Sequence, residues 1–407
     1  GKMAFIEIVI THFAYSITSL MFIVVLTLAF VYMSRFAKLE EAWLGIIRIP
    51  LNTRFLSAVL FGMIVGLVAS FCIVLVGIPL DYKAVLYIWP LAILLMLFNK
   101  RYLCLSYAGG IVSLSSLLFG WPDVNVPSII ALVGILHLME SLLIWFDGYR
   151  DSLPIWVKHR NVETVGAYLM NKIWPIPLVV LIVPEGILQA AEGAVAMPGW
   201  WPLFQQQPGV EVLALFPIVA VMGYSDIAIT QSSRGRVKET GFWLGIYSLV
   251  ILILAMISSR LYWVSFIAAP AAPVLHELLI ILGRKTQLEG DPAFKAPWRG
   301  LKILEVMPSS QAEKMGMKPG DLLLAVNGRD VNSKEMLDEI LMEYPSYAWF
   351  DIKRENNDIV VEHKDYQDGI HDLGVIFVPR QTTRHFRMDE TSSIIKKVWE
   401  KVRKRLK

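Results

Sequence analysis

Ionisable side chains stand inside stretches that are otherwise apolar: His12, His137, Glu140, Glu185, Asp226, His276 and Glu277. A charge in hydrocarbon is costly, so each marks a place where polar chemistry or a polar contact is required. The chemistry such a set most directly suggests is metal-assisted hydrolysis. His276-Glu277 begins the pattern of a helix-borne zinc site, in which a second His four residues later puts two imidazoles on one face and the Glu acts as general base. Position 280 is Ile280, and no Asn-Pro…Leu-Asp-Gly type segment supplies another ligand; Pro79–Lys83 (PLDYK) only grazes it. His137 and Glu140 are i and i+3, on one face of a helix. They either hydrogen-bond between helices and stabilise a bundle, or join His276 and Glu277 as the unorthodox ligands of an intramembrane protease. Cys72 and Cys104 fall in apolar stretches and read as small hydrophobes, with no disulfide framework and no metal site. No Gly-rich loop follows a strand and no Gly-x-Ser-x-Gly elbow occurs, which excludes the usual phosphate-binding and serine-hydrolase sites.

The elements that must hold these residues are membrane-spanning. Of 407 residues 55% are hydrophobic and only 18% charged, against about 25% charged in ordinary soluble domains, and the mean hydropathy is +0.53. Stretches near the length of a bilayer crossing, about 20 residues, run over 8–33, 55–79, 83–98, 102–119, 127–146, 173–190, 210–228, 242–257 and 261–282. The expectation is an α-helical polytopic bundle of seven to nine helices over residues 1–284. The first stretch is too long for a cleaved signal peptide, and its basic residues Arg35 and Lys38 follow it. Basic loops (35–54, 100–101, 150–172, 234–238, 284–285) alternate with nearly neutral ones, which places the N-terminus outside and the C-terminal part in the cytoplasm. Pro175, Pro177, Pro184, Pro270 and Pro273 interrupt spans as in transporters, so a transporter is a further reading; no inverted repeat supports it.

Past a linker at 285–297 the chain becomes polar and alternates short β-type runs with turns. Strands are expected at Leu301–Val306, Asp321–Val326, Ala348–Arg354 and Asp358–His363. Helices are expected at Ser309–Met315 and Ser333–Glu343, with Ser333 as N-cap and Asn327-Gly328 as a tight turn. The segment Pro308–Val331 (PSSQAEKMGMKPGDLLLAVNGRDV) resembles a PDZ domain, assigned to 298–380. The resemblance implies a small α+β, partly open β-barrel with two helices that binds extended or C-terminal peptides as an added strand. Its groove would be formed by Arg299, Gly300, Leu301, Lys302 and Ile303, with Ser333 and Leu337 opposite. Lys302 stands where the family has its second glycine, so capture of a free carboxylate and binding of an internal strand both stay open. Membrane-embedded metalloproteases also carry PDZ domains, which keeps the protease as the rival class.

Residues 381–407 hold nine Lys/Arg against Asp389, Glu390 and Glu400. Ile394, Val398, Val402 and Leu406 recur at i+4, which predicts a basic amphipathic C-terminal helix. Lys396, Lys397, Trp399, Lys401, Arg403 and Lys404 would meet an anionic lipid surface. Membrane proximity explains this charge, and nothing in the chain calls for nucleic acid. His137–Arg150 (HLMESLLIWFDGYR), Trp174–Gly186 (WPIPLVVLIVPEG) and His371–Pro379 (HDLGVIFVP), with the PDZ segment, resemble the MinJ family of cell-division topological determinants. That resemblance implies a scaffold without a cofactor, in the cell membrane and enriched at septum and poles, which bridges DivIVA-like and MinD-like division proteins. A homo-oligomer stays open.

Overall fold

The computed structural model describes residues 2–98, 102, 104–160, 163–184, 195–204, 212–343, 345–355, 357–364, 369–382 and 384–386. The chain enters through α1 (Lys2–Ile17), α2 (Leu20–Leu44) and α3 (Leu51–Val76), then β1 (Pro79–Asp81), α4 (Tyr82–Phe98), α5 (Leu105–Phe119) and α6 (Val126–Asp147). Three strands follow, β2 (Leu153–His159), β3 (Glu163–Val183) and β4 (Ala214–Ala228), and then α7 (Ser233–Arg260) and α8 (Ser265–Glu289). Five helical stretches among the described residues are long and apolar enough to cross a membrane: α2, α3, α6, α7 and Tyr262–Glu289, which contains α8. The apolar helices α1, α4 and α5 are shorter. The stretch expected as one span over 8–33 is broken where the Ser19 hydroxyl accepts from the Phe22 N–H at 3.1 Å and starts α2.

Two expected spans, 173–190 and 210–228, are not helices where they are described. They lie in β3 and β4, which pair antiparallel from Tyr168↔Ala228 to Ile182↔Ala214. The physical reason lies in the two faces of β3. Trp174, Ile176, Leu178 and Val180 enter the main core, while Val179 and Leu181 join a second cluster with Val9, Phe13 and Val74. A strand buried on both faces reads as an unbroken apolar run, which periodicity cannot separate from a buried helix.

Pro175 and Pro177 fit because of α3. A Cβ on Gly62 would come within 2.0 Å of the Pro175 carbonyl oxygen, and one on Gly66 within 2.1 Å of that of Pro177. One step on, the Val179 N–H donates to Ser70 Oγ at 2.9 Å. Four residues of helix advance about 6 Å and two of strand about 6.6 Å, so Gly62, Gly66 and Ser70 keep pace with 175, 177 and 179. The two prolines face α3 and not β4, where their missing N–H groups break no ladder bond. On the other side, Ser16 Oγ donates to the Ile218 carbonyl at 2.5 Å. Helices thus take up backbone groups of β3 and β4 at these points, and protein cover of this kind is the condition under which strands are tolerated beside membrane helices.

The C-terminal part is the expected α+β module. It comprises β6 (Leu301–Val306), α9 (Gln311–Lys314), β7 (Leu322–Val326), β8 (Arg329–Asp330), α10 (Lys334–Leu341), β9 (Tyr347–Arg354), β10 (Asn357–Lys364) and β11 (Val375–Phe377). The sheet order is β10-β9-β7-β6-β11, with β8 on β7. Asn327 and Gly328 both have positive φ, +51° and +74°, as a type I′ turn requires. The segment read as a linker, 285–297, holds the end of α8 and the strand Phe294–Lys295, here β5, which pairs with β3 at Gly166 and Val165. The module is docked on the β2–β3 corner. Trp156 Nε1 donates to the Phe377 carbonyl at 3.1 Å, Tyr168 OH to the Leu304 carbonyl, and Leu304 and Val378 enter the main core. Arg48 joins the two parts, 2.7 Å from Glu40 and 3.3 Å from Glu305.

Candidate functional site

The peptide groove expected around β6 meets a topological obstacle. β6 is an interior strand, with Leu301 and Lys302 paired to Leu323 and Leu322 on one side and Ile303 and Glu305 paired to Phe377 and Ile376 on the other. Addition of a strand needs an edge, and neither side of 301–303 offers one. The neighbouring residues have structural work instead. Gly300 has φ +83°, and a Cβ there would lie 2.5 Å from the Leu323 carbonyl oxygen. Both Asp330 oxygens accept from Arg299 Nη2 at 2.8 Å. The Ser333 hydroxyl accepts from the Met336 N–H at 3.3 Å and caps α10, and Leu337 is buried in the module core. Burial pushes the Lys302 ammonium below its ordinary pKa, against the pull of Asp321.

The edge next to β6 belongs to β11. Gly374, at φ +70°, turns the chain into it; a Cβ there would meet that of Ser310 at 2.4 Å. The Gly374 carbonyl accepts from the Met307 N–H at 2.8 Å, that of Leu373 from the Ala312 N–H at 3.0 Å. Gly374-Val375-Ile376-Phe377, a glycine followed by three apolar residues, stands at the far end of the module's sequence from Arg299–Ile303.

Inside the bundle the structure gathers four of the polar residues singled out above and adds three. His137 Nε2 lies 3.9 Å from a Glu140 oxygen and 2.9 Å from Cys104 Sγ, which is 3.8 Å from His276 Nε2. The His137 and His276 rings are 5.1 Å apart at 74°, with the Tyr247 ring 5.4 and 5.7 Å from them. The Tyr107 hydroxyl donates to Glu277 at 2.6 Å and lies 3.1 Å from His276 Nδ1. Four helices supply this cluster: α5 gives Tyr107, with Cys104 at its N-cap, α6 gives His137 and Glu140, α7 gives Tyr247 and α8 gives His276 and Glu277. Close approach is allowed by glycine. A Cβ on Gly110 would meet the Pro273 ring at 2.6 Å, and one on Gly134 the Leu252 side chain at 2.7 Å. Cys104, Tyr107 and Tyr247 had no local signal, because their partners are far away in the sequence. His12 stays apart, bonded to the Ile8 carbonyl at 2.8 Å, and Asp226 accepts from Arg236 at 2.8 Å. Glu185 lies outside the described residues, as do Lys396, Lys397, Trp399, Lys401, Arg403 and Lys404.

These features define a class: a multi-helix membrane protein carrying a PDZ domain. The PDZ domain family matches residues 302–343. The chain is similar over most of its length to cell-division topological determinants. It is 24% identical over 258 residues to "Cell division topological determinant MinJ" of Bacillus subtilis, covering 62% of each chain. It is 21% identical over 332 residues to "Probable cell division topological determinant MinJ" of Lacticaseibacillus paracasei, covering 79% of this chain and 85% of that one. The alignment thus spans less than two thirds of the Bacillus protein's own length. Among solved structures, the PDZ domain of an SdrC-like protein from Listeria monocytogenes matches 21% of this chain and 93% of its own, at 17% identity and a TM-score of 0.18.

Proposed function

We propose that this chain is a non-enzymatic scaffold that positions regulators of the cell-division site at the membrane. The observation that carries the reading is the similarity, along 79% of the chain, to a protein named as a probable division topological determinant. By that resemblance its partners are a MinD-like inhibitor and a DivIVA-like protein of septum and pole. The distribution of Lys and Arg puts the PDZ domain in the cytoplasm. There an extended or C-terminal peptide adds to β11, since Gly374 turns its carbonyl to β6 and Val375, next in the alternation, turns its backbone outward. Contacts of this kind are weak singly and become effective when several act together on one membrane surface, as in a homo-oligomer. The basic tail contributes a salt-sensitive contact with anionic lipid.

The test is in-cell crosslinking followed by pull-down, comparing the intact chain with Val375→Pro at equal membrane level. Proline on an outward edge position leaves the sheet intact but removes the donor a new strand needs. The intact chain recovers MinD-like and DivIVA-like proteins, and Val375→Pro loses at least one of them about tenfold or more. Recovery of neither by the intact chain refutes the scaffold reading; unchanged recovery by Val375→Pro moves the contact off β11.

A further inference from the structure

We propose that Cys104, His137 and His276 form a zinc site that ties α5, α6 and α8 together, with Glu140 supplying countercharge. This goes beyond the scaffold reading and does not depend on it. One ligand atom from each of the three residues lies within 4.8 Å of the others. A tetrahedral zinc with bonds of about 2.3 Å to sulfur and about 2.0–2.1 Å to nitrogen sets S···N separations near 3.6 Å. The two such separations here are 2.9 and 3.8 Å, on either side of that figure.

The hydrogen bonds fix which atoms face the centre. His137 Nδ1 lies 2.7 Å from the Val133 carbonyl, which can only accept, so the ring proton is on Nδ1 and Nε2 presents a lone pair. His276 Nδ1 lies 3.1 Å from the Tyr107 hydroxyl, whose own proton goes to Glu277. His276 therefore also carries its proton on Nδ1 and turns a lone pair inward. A His held from behind by a carbonyl, or through a hydroxyl by a carboxylate, is the arrangement that orients metal-binding imidazoles. Without a cation, two Nε2 lone pairs compete for one thiol proton, and a buried acceptor left without a donor is costly. With zinc, both lone pairs and the sulfur are used and the thiol proton is released to solvent.

Charge and donor type fit the same ion. One thiolate and two imidazoles suit zinc better than hard cations, which take oxygen ligands. Zinc with one thiolate carries one net positive charge, and the Glu140 carboxyl, 3.9 Å from His137 Nε2, is placed to supply the countercharge a buried site demands. Cys104 stands at the N-cap position of α5 and makes no side-chain capping bond there, which leaves its sulfur to the two imidazoles and the Ser106 hydroxyl.

The experiment measures zinc by elemental analysis in the full-length protein, purified in detergent from zinc-replete cells without chelator. The expected result is about one zinc per chain. It is lost in His137→Ala/His276→Ala and kept in Cys72→Ser, and Tyr107→Phe and Glu140→Gln each weaken binding about 10–100-fold. Because the double variant could fail to fold, cobalt(II) is also added to zinc-free intact chain and to Cys104→Ser. A thiolate-to-cobalt charge-transfer band in the intact chain, absent from Cys104→Ser, supports the site. No zinc and no cobalt band in the intact chain overturns the proposal, as does undiminished zinc in the double variant or copper or iron in its place.

Discussion

Ser70, a residue of ordinary appearance in an apolar helix, receives the Val179 N–H and itself donates to the Gly66 carbonyl at 2.6 Å. Ser70→Ala leaves that buried N–H unpaired and costs about 1–3 kcal/mol, read as a lower melting temperature in detergent. Gly66→Ala drives a Cβ against the Pro177 backbone, and overpacking of this kind costs about 1–3 kcal/mol. A pair of variants without these losses removes the strand from its place beside α3. A second residue-level effect is set by pH. Burial, and then the charge of Arg160, push His159 below its ordinary pKa, with Glu163 opposing. The folded state therefore binds fewer protons than the unfolded chain near the ordinary value of about 6.5. His159 favours the folded state fully above that value, and the contribution is lost as pH falls through it toward the depressed one. His159→Gln should flatten the decline in melting temperature between about pH 7.5 and about pH 5.5; an unchanged slope places the titrating group elsewhere.

At the scale of elements, the docking of the PDZ domain turns on β2, β3 and the loop carrying Arg48. Arg48 meets Glu40, Glu305 and the Ser152 carbonyl together, and burial pushes Glu305 above the ordinary carboxylate range despite that cation. Arg48→Ala leaves the Glu305 charge without this partner, and breaking such a buried pair costs about 3–5 kcal/mol. Hydrogen exchange should show it first, as faster exchange at Phe294 and Gly166; protection equal to the unaltered protein there means that Arg48 does not hold the joint. The module itself was legible in the sequence, because Ser333, the Asn327-Gly328 pair and the alternation of Leu322, Leu324 and Val326 are local signals read over a few residues. β3 was not, because burial on two faces erases the alternation that marks a strand; β4 was not, because exposed positions in it are apolar as well, at Phe216 and Val221. The Cys104–His137–His276 cluster was half legible. The histidines stood out as expensive in an apolar run, but their meeting with Cys104 depends on how α5, α6 and α8 pack, with Gly110 allowing the close approach of α5 to α8.

At the scale of the whole molecule, one strand connects the two halves. β3 touches the PDZ side at 165–168, through β5 and the Tyr168–Leu304 contact, and meets α3 at 175–179. At about 3.3 Å per residue the span from 165 to 179 is a rod about 46 Å long. Trp156→Ala should loosen only its far end: the PDZ side gains hydrogen exchange while 175–179 stays protected, and a uniform gain along β3 means the rod is not stiff. The small-residue ladder on α3 then governs what this rod can transmit. The Pro175 and Pro177 carbonyls rest against Gly62 and Gly66 and the Val179 N–H bonds Ser70, while Met63, Ile64, Val65, Leu67 and Val68 stand between these positions on the helix. A slide of β3 along α3 has no comfortable halfway point, since the next fit comes only about 6 Å on, one repeat of the ladder. A rigid slide of β3 along α3 would therefore arrive at the PDZ side in whole steps of this ladder, so the contact is built as a detent, not a spring.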